Sequence, residues 1–446
     1  MLQTHHNNSL AITIELSLAS PMFWGLGPDA QELLEVVAFF PQGVNEDNLD
    51  WLFPALLNRT DILDNFCILS LTYRSNEFIT MLAPLRDYLY PKNPTSSQLL
   101  CATRDHYFHR LSVKIDPHKP GSEEAQWIRS EDVNAEHLLD VLKNPADTWD
   151  ACSNFMYHLY LHKPRLVILG AKIEGLPDGH PLKPQCLREL SRLFHKLGNR
   201  IESKRLLIHT LKLWKERGND FEVARTLRAI SKVNRHLGLK KEGMEQAKEA
   251  LEVNVERLGN VAGQGNTWRQ LGWLLHHDGQ LDAAEEATSK AIKLFLDKGD
   301  QYEICECHKV LGNIYLSRGE TKKAIDHYEI ALGIASSFGW HGNLFSAHCS
   351  LAELFFSENG FNEAQGHVER AKSHVTDDPY RLGQAMELQA RFWCKRRMFE
   401  EAKSEALCAI DVYEKIGAME DVEDCRDLLR RIEKAASRKL GSNGAG

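Results

Sequence analysis

The C-terminal half of this chain repeats itself, and a repeat decides architecture before any other feature does. Trp268-x-x-Leu271-Gly272-x-x-Leu275 is followed by Gly279, Ala284, Thr288 and Ala291. His308-x-x-Leu311-Gly312-x-x-Tyr315 is followed by Gly319, Ala324, Tyr328 and Ala331. Weaker copies flank this pair, around Leu190 and Gly198, Ile230 and Gly238, Leu351 and Gly360, and Ala390 and Trp393. The small residue that opens each second helix falls at Ser203, Gly243, Ala284, Ala324, Ala364 and Ala402, in steps of 40, 41, 40, 40 and 38. Each unit reads as two helices, brought close by small residues such as Gly272, Gly312, Ala284 and Ala324. Leu271, Leu311, Tyr315 and Tyr328 fill the gap to the next pair. One pair cannot bury its own apolar face, so the pairs must stack into a superhelix.

This pattern resembles the tetratricopeptide (TPR) repeat, although the steps exceed its usual ~34 residues. The extra length is expected in longer helices and links. Asp421–Leu440, with Val422, Cys425, Leu428, Leu429 and Ile432, reads as an amphipathic capping helix, and residues 441–446 as a disordered tail. The expected fold is mainly α: a TPR α-solenoid of about six helix pairs plus a capping helix over 184–420 and 421–440, preceded by a small α+β winged-helix-like domain.

That domain is expected over 12–112, after a disordered 1–11. Pro28-Asp29 opens a helix carrying Leu33, Leu34, Val36, Val37 and Phe40. Asn45 is placed to cap a second helix, through Trp51 to Phe53. A third helix is expected at Asp61–Phe66, a strand at Cys67–Tyr73, a turn at Arg74-Ser75-Asn76 and a second strand at Glu77–Leu82. Helices followed by a two-stranded wing suggest a winged helix. Residues 113–183 read as a helical connector interrupted by prolines.

IELSLAS, LGPDAQELLEVVAFFPQGVNEDNLDWLFP and CILSLTYRSNEFITMLAPLRDYL are similar to the winged-helix segment of STAND-type (NACHT or NB-ARC) signalling NTPases of fungi that also carry TPRs. In that family a P-loop domain precedes the winged helix. Its G-x-x-x-x-G-K-[ST] string, whose amides and Lys hold phosphates, does not occur here. A domain of ~150 residues has no room before residue 12. The resemblance therefore implies the regulatory and sensing half, without ATPase activity.

Composition excludes several classes. Among 446 residues, Lys plus Arg number 54 and Asp plus Glu 62, a net charge of -8. This is not a generally basic nucleic-acid or membrane-surface binder. Residues 1–115 hold 7 Lys/Arg against 12 Asp/Glu, and the second helix carries Glu46, Asp47 and Asp50, so that domain should repel DNA. No apolar run approaches the ~20 residues of a membrane span, and the N-terminus lacks a basic leader. The ten cysteines include no C-x-x-C pair. Reduced thiols and a cytoplasmic location are expected.

No catalytic signature stands out, and no metal or cofactor is expected. His158-x-x-x-His162 shares a helical face without a third ligand. Cys305-Glu306-Cys307-His308 would diverge on a helix, at ~100° per residue. The sharper pattern lies in the repeats. The TPR resemblance implies that each first helix lines the concave face. That places Arg188 and Arg192, then Arg225, Arg228, Lys232 and Arg235, then Arg269 and Trp273, then Lys309 and Asn313 in the groove. Arg forks suit carboxylates and phosphates, and Trp273 can stack on a side chain. Lys309 and Asn313 also resemble part of a two-carboxylate clamp of TPR co-chaperones, though Ser350, Gln384 and Leu388 stand where its other members belong.

The expectation is a non-enzymatic protein-interaction scaffold or sensor, gripping a protein, an acidic peptide or an NTPase domain supplied in trans, with no nucleic acid and no membrane as partner. The alternatives are the remnant of a signalling NTPase or a winged-helix transcriptional regulator. Oligomeric state is left open.

Overall fold

A computed structural model describes residues 12, 14–90, 98–113, 122–141, 148–162, 169–375 and 378–443. The chain forms two compact units, Met1–His158 with Val167–Lys172, and Leu159–Leu166 with Ile173–Gly446.

In the first unit, helix Asp29–Phe39 buries Leu33, Leu34, Val36 and Val37 completely. Strand β1 (Val44–Asn45) follows, and Asn45 Oδ1 accepts from Asp47 N, capping a short turn that runs into Leu49–Leu52. Helix Arg59–Ile68 precedes β2 (Tyr73–Ser75) and β3 (Phe78–Thr80). The sheet order is β1-β3-β2, antiparallel, with Val44 opposite Ile79 and Arg74 opposite Ile79 from the other side. Helix, strand, helix, helix and two-stranded wing is the winged-helix order.

The wing differs in detail from the sequence expectation. Cys67–Tyr73 is not a strand. Ile62, Leu63 and Phe66 bury one helical stripe, so the helix runs on through Ile68. Ser70 then stops it in the left-handed region at φ 57°. Arg74 and Ser75 belong to β2, and the turn is Asn76-Glu77.

Helix Glu123–Val141, from the stretch read as a connector, is built into this unit by a buried polar knot. Glu131 accepts from Tyr107 Oη at 2.6 Å, Asn134 Nδ2 at 2.9 Å and Asn48 Nδ2 at 2.5 Å. Asn134 also donates to the Gly43 carbonyl and accepts from Gln42 N. Burial raises the Glu131 pKa, and these donors offset the cost of its charge.

The second unit is the solenoid. Its first helices are Lys183–Lys196, Asp220–His236, Val261–His277, Gln301–Ser317, His341–Ser357 and Pro379–Lys395. Their partners are Arg200–Glu216, Lys240–Glu252, Leu281–Leu296, Thr321–Ser337, Phe361–Ser373 and Phe399–Ile416, and Met419–Asn443 caps the array. The cap includes residues 441–443, expected as disordered tail; residues 1–11 and 444–446 lie outside the described residues. Close approach within pairs is required by geometry. A Cβ on Gly312 would lie 2.5 Å from the Tyr328 ring, and one on Gly383 2.5 Å from the Tyr413 ring. Asn199, Asn219, Asn260 and Asp300 cap helices with their side chains.

The turn after each first helix holds a residue at positive φ: Gly198, Gly238, Gly279, Gly319, Asn359 and Arg397. The turn after the second helix holds another in the first four repeats, at Gly218, Gly259, Gly299 and Gly339, and in the sixth, at Gly417. From Gly198 to Asn359 these turns are 20 positions apart, except from Gly238 to Gly259, which is 21. The extra residue lies in a π-helical turn, Val253–Arg257, that ends the second helix of repeat two. This explains the single 41-residue step.

The array also closes on itself. Leu197, in the first turn of repeat one, is buried among Ala409, Tyr413 and Ile416 of repeat six and Ala418, Val422 and Cys425 at the cap. Lys196 Nζ reaches Asp378 Oδ2 at 2.7 Å, and Arg200 Nη1 reaches Glu420 Oε2 at 2.6 Å.

Candidate functional site: the interior of the repeat array

Closure gives the first helices a shared interior. Lys232 of repeat two lies near enough to Tyr160, Arg235, Arg269 and Glu306 for each to influence its ionisation. Tyr160, in the short segment preceding the repeats, lies under the cations of Arg192 and Lys196, at 5.8 and 5.6 Å from its ring. Lys196 Nζ also donates to the Tyr160 carbonyl at 3.0 Å. Lys232 first, then Arg192 and Lys196, lower the Tyr160 phenol pKa against the effect of burial.

The ten residues singled out by sequence separate into three groups. At one end, Glu189 accepts from Arg188 Nε at 3.1 Å and Arg192 Nη1 at 2.8 Å. Glu222 accepts from Arg188 and, at 3.3 Å, from Arg225. At the other end, Arg269 pairs with Glu303 at 2.9 Å and Glu306 at 3.7 Å. Lys309 pairs with Glu306 at 2.6 Å and donates to Ser346 Oγ at 2.8 Å. Asn313 Oδ1 accepts from Tyr328 Oη at 2.6 Å. Lys309 and Asn313 are thus engaged within the fold, so the clamp resemblance has no free pair of donors behind it.

Between the ends stand Arg228, Lys232 and Arg235. Spaced i, i+4 and i+7, they share a face of one helix. No carboxylate of the described residues lies within 4.0 Å of any of them. Arg235 donates to His236 Nε2 at 2.8 Å and lies 4.8 Å over the Trp273 ring, a cation–π contact. Its Nε, like that of Arg269, is buried without an acceptor. Burial, followed by the nearby Arg269, lowers both Arg228 and Arg235 to about 10. His195 lies against His236, ring centroids 4.9 Å apart, and is held down to about 3 by burial and then by Lys232.

The sequence view of a plain basic stripe therefore needs correction: glutamates interleave with it. Three were signalled by acid–base spacing at i, i+3, namely Glu189–Arg192, Glu222–Arg225 and Glu306–Lys309. Glu303 and Tyr160 meet their partners only through tertiary packing.

The other candidates disperse. Cys305 Sγ donates to the Ala331 carbonyl, Glu306 faces Arg269 and Lys309, and His308 Nδ1 meets His327 Nδ1 at 2.9 Å. His158 is buried, and the His162 side chain lies outside the described residues. Among the described residues no group of three or more His, Cys, Asp or Glu could hold a metal, and no helix is long and apolar enough to cross a membrane. On the first unit, Arg74 is held by Glu46 and Asp64, and Arg59 by Asp50, which masks the positive charge beside its small sheet.

No protein-family model matches the chain, and no curated protein does. Solved structures similar to it include a Rap protein complexed with competence and sporulation factor, at 13% identity and TM-score 0.48, covering 75% of this chain and 98% of that one. A STAND protein with a tetratricopeptide repeat sensor from Pyrococcus horikoshii matches at 13% identity and TM-score 0.46, over 94% of this chain and 64% of that one. A tetratricopeptide repeat protein from Parabacteroides merdae matches at 13% identity and TM-score 0.42, over 69% of this chain and 98% of that one. The solenoid assignment rests on this chain's own repeats.

Proposed function

We propose that the chain is a protein-interaction scaffold or sensor that grips a peptide segment of a partner inside its repeat array. The observation that carries this reading is the convergence of first helices from repeats one to four on one interior, around Lys232 and Trp273. Such a surface offers charge for orientation and an aromatic face for packing. The partner's inserted segment is acidic, because the interior cations outnumber the glutamates that answer them. Affinity capture compares the wild-type chain with Arg228→Glu/Lys232→Glu, both checked for intact helix by circular dichroism. Partners identified by mass spectrometry are then tested as purified proteins. Binding lost only in the double variant is expected. Equal binding by both would move the interface off the interior.

A further inference from the structure

We propose that Arg228, Lys232 and Arg235 form a binding site for a multiply charged oxyanion, of the phosphate or carboxylate kind, within the repeat array. This rests on the interior-binding reading above and names the chemistry its ligand must carry.

Along the interior, Arg188, Arg192 and Arg225 are answered by Glu189 and Glu222, and Arg269 and Lys309 by Glu303 and Glu306. The chain thus supplies acids where a cation serves packing. It supplies none within ion-pair distance of the three cations in the middle, which repel one another. Unpaired cations in a confined interior cost stability, and a bound anion would repay that cost.

A second observation points the same way. Arg235 Nε and Arg269 Nε are buried donors without a protein acceptor. Such donors carry a desolvation cost until an oxygen reaches them. Lys232 itself is solvent-accessible, so its ammonium is open to a ligand as well as surrounded by protein. Two guanidinium forks and one ammonium fit a group carrying several oxygens and at least two charges.

The chemistry has two sources, a free small anion or the acidic side chains of a peptide. Isothermal calorimetry on the full chain uses pyrophosphate, citrate and a hexaglutamate peptide as probes, at constant ionic strength. At least one should bind the wild type, with affinity at least tenfold weaker in Lys232→Met and in Arg228→Gln. Lys212→Met, on the second helix of repeat one, should bind as wild type. Saturation by the small anions assigns the site to a free anion, and preference for hexaglutamate to an acidic chain.

Without ligand, Lys232→Met should melt higher than wild type, because it removes repulsion. No binding by any probe, binding that Lys232→Met and Arg228→Gln leave unchanged, or a lower melting temperature for ligand-free Lys232→Met would each overturn the proposal. If anion binding fails while partner capture still depends on the interior, only the oxyanion site falls. If anion binding holds while captured partners ignore Arg228→Glu/Lys232→Glu, only the protein-partner reading falls.

Discussion

Arg397 occupies the turn position that four other repeats fill with glycine, and it does so at φ 60°. A side chain in the left-handed region costs ~1–2 kcal/mol, because Cβ crowds the following carbonyl. Arg397 is exposed, so little packing offsets that cost. Arg397→Gly is expected to stabilise the chain by about 1 kcal/mol, after the extra freedom glycine gives the unfolded state. Urea denaturation monitored by circular dichroism reads it: the midpoint should rise with an unchanged slope, and a lower midpoint would show that the side chain matters to the native fold. The same residue shows how much of the turn was legible. A glycine in this place in four repeats announces the left-handed turn, whereas Arg397 and Asn359 adopt it under the pull of the two helices they join. The interior site was legible in a similar partial way. Its cations follow from helical spacing, but which of them remain unanswered depends on where Glu222 and Glu303 come to rest.

At the scale of elements, the repeat period was written plainly in sequence, because every helix pair must present the same small and large residues to its neighbours. Closure was not, because it joins positions far apart in the chain. Lys196 meets Asp378, a carboxylate only 2% exposed that also caps its own helix through Tyr380 N and Arg381 N. Nothing local to Lys196 marks it as different from other lysines at a helix end. Removing it leaves Asp378 buried beside Arg381 at 3.4 Å and the two amides. Lys196→Met should therefore cost about 3 kcal/mol, the lower part of the range for breaking a buried pair, because those partners remain. The array should also open. Small-angle scattering should give a larger radius of gyration for Lys196→Met/Arg200→Glu than for the wild type, at equal helix content. An unchanged radius would mean that Leu197 and its apolar neighbours alone keep the array closed.

Over the whole molecule, buried histidines set how the fold responds to acid. Burial, followed by nearby positive charge, holds His195 at about 3, and His308 and His348 at about 4, below the ordinary 6.5. His308 faces His327, and His348 faces His367 and His374 with Arg370 nearby, so each ring meets further positive charge if it is protonated. Between pH 6.5 and 4 the unfolded chain then binds protons that the native chain refuses. Stability contributed by these groups is complete above pH 6.5 and is lost as pH falls toward 4. Asp421 opposes the trend. Burial lifts it from 3.8 to about 6, so the native state gains protons there first, and its contribution to stability is lost as pH rises through 6. His236, held at about 2, and His277, held at about 4, act with these three, while Glu131 and Glu387, also raised by burial, act with Asp421. Five histidines outweigh three carboxyls, and the melting temperature should fall from pH 7 to pH 4.5. His348→Gln should flatten that slope. Asp421→Asn, which removes an opposing group, should steepen it and raise the melting temperature at pH 8. A profile flat across that interval in the wild type would mean that the native chain takes up protons on these rings as readily as the unfolded chain, and that the two histidine pairs joining helices in repeats four and five are open to water in the native state.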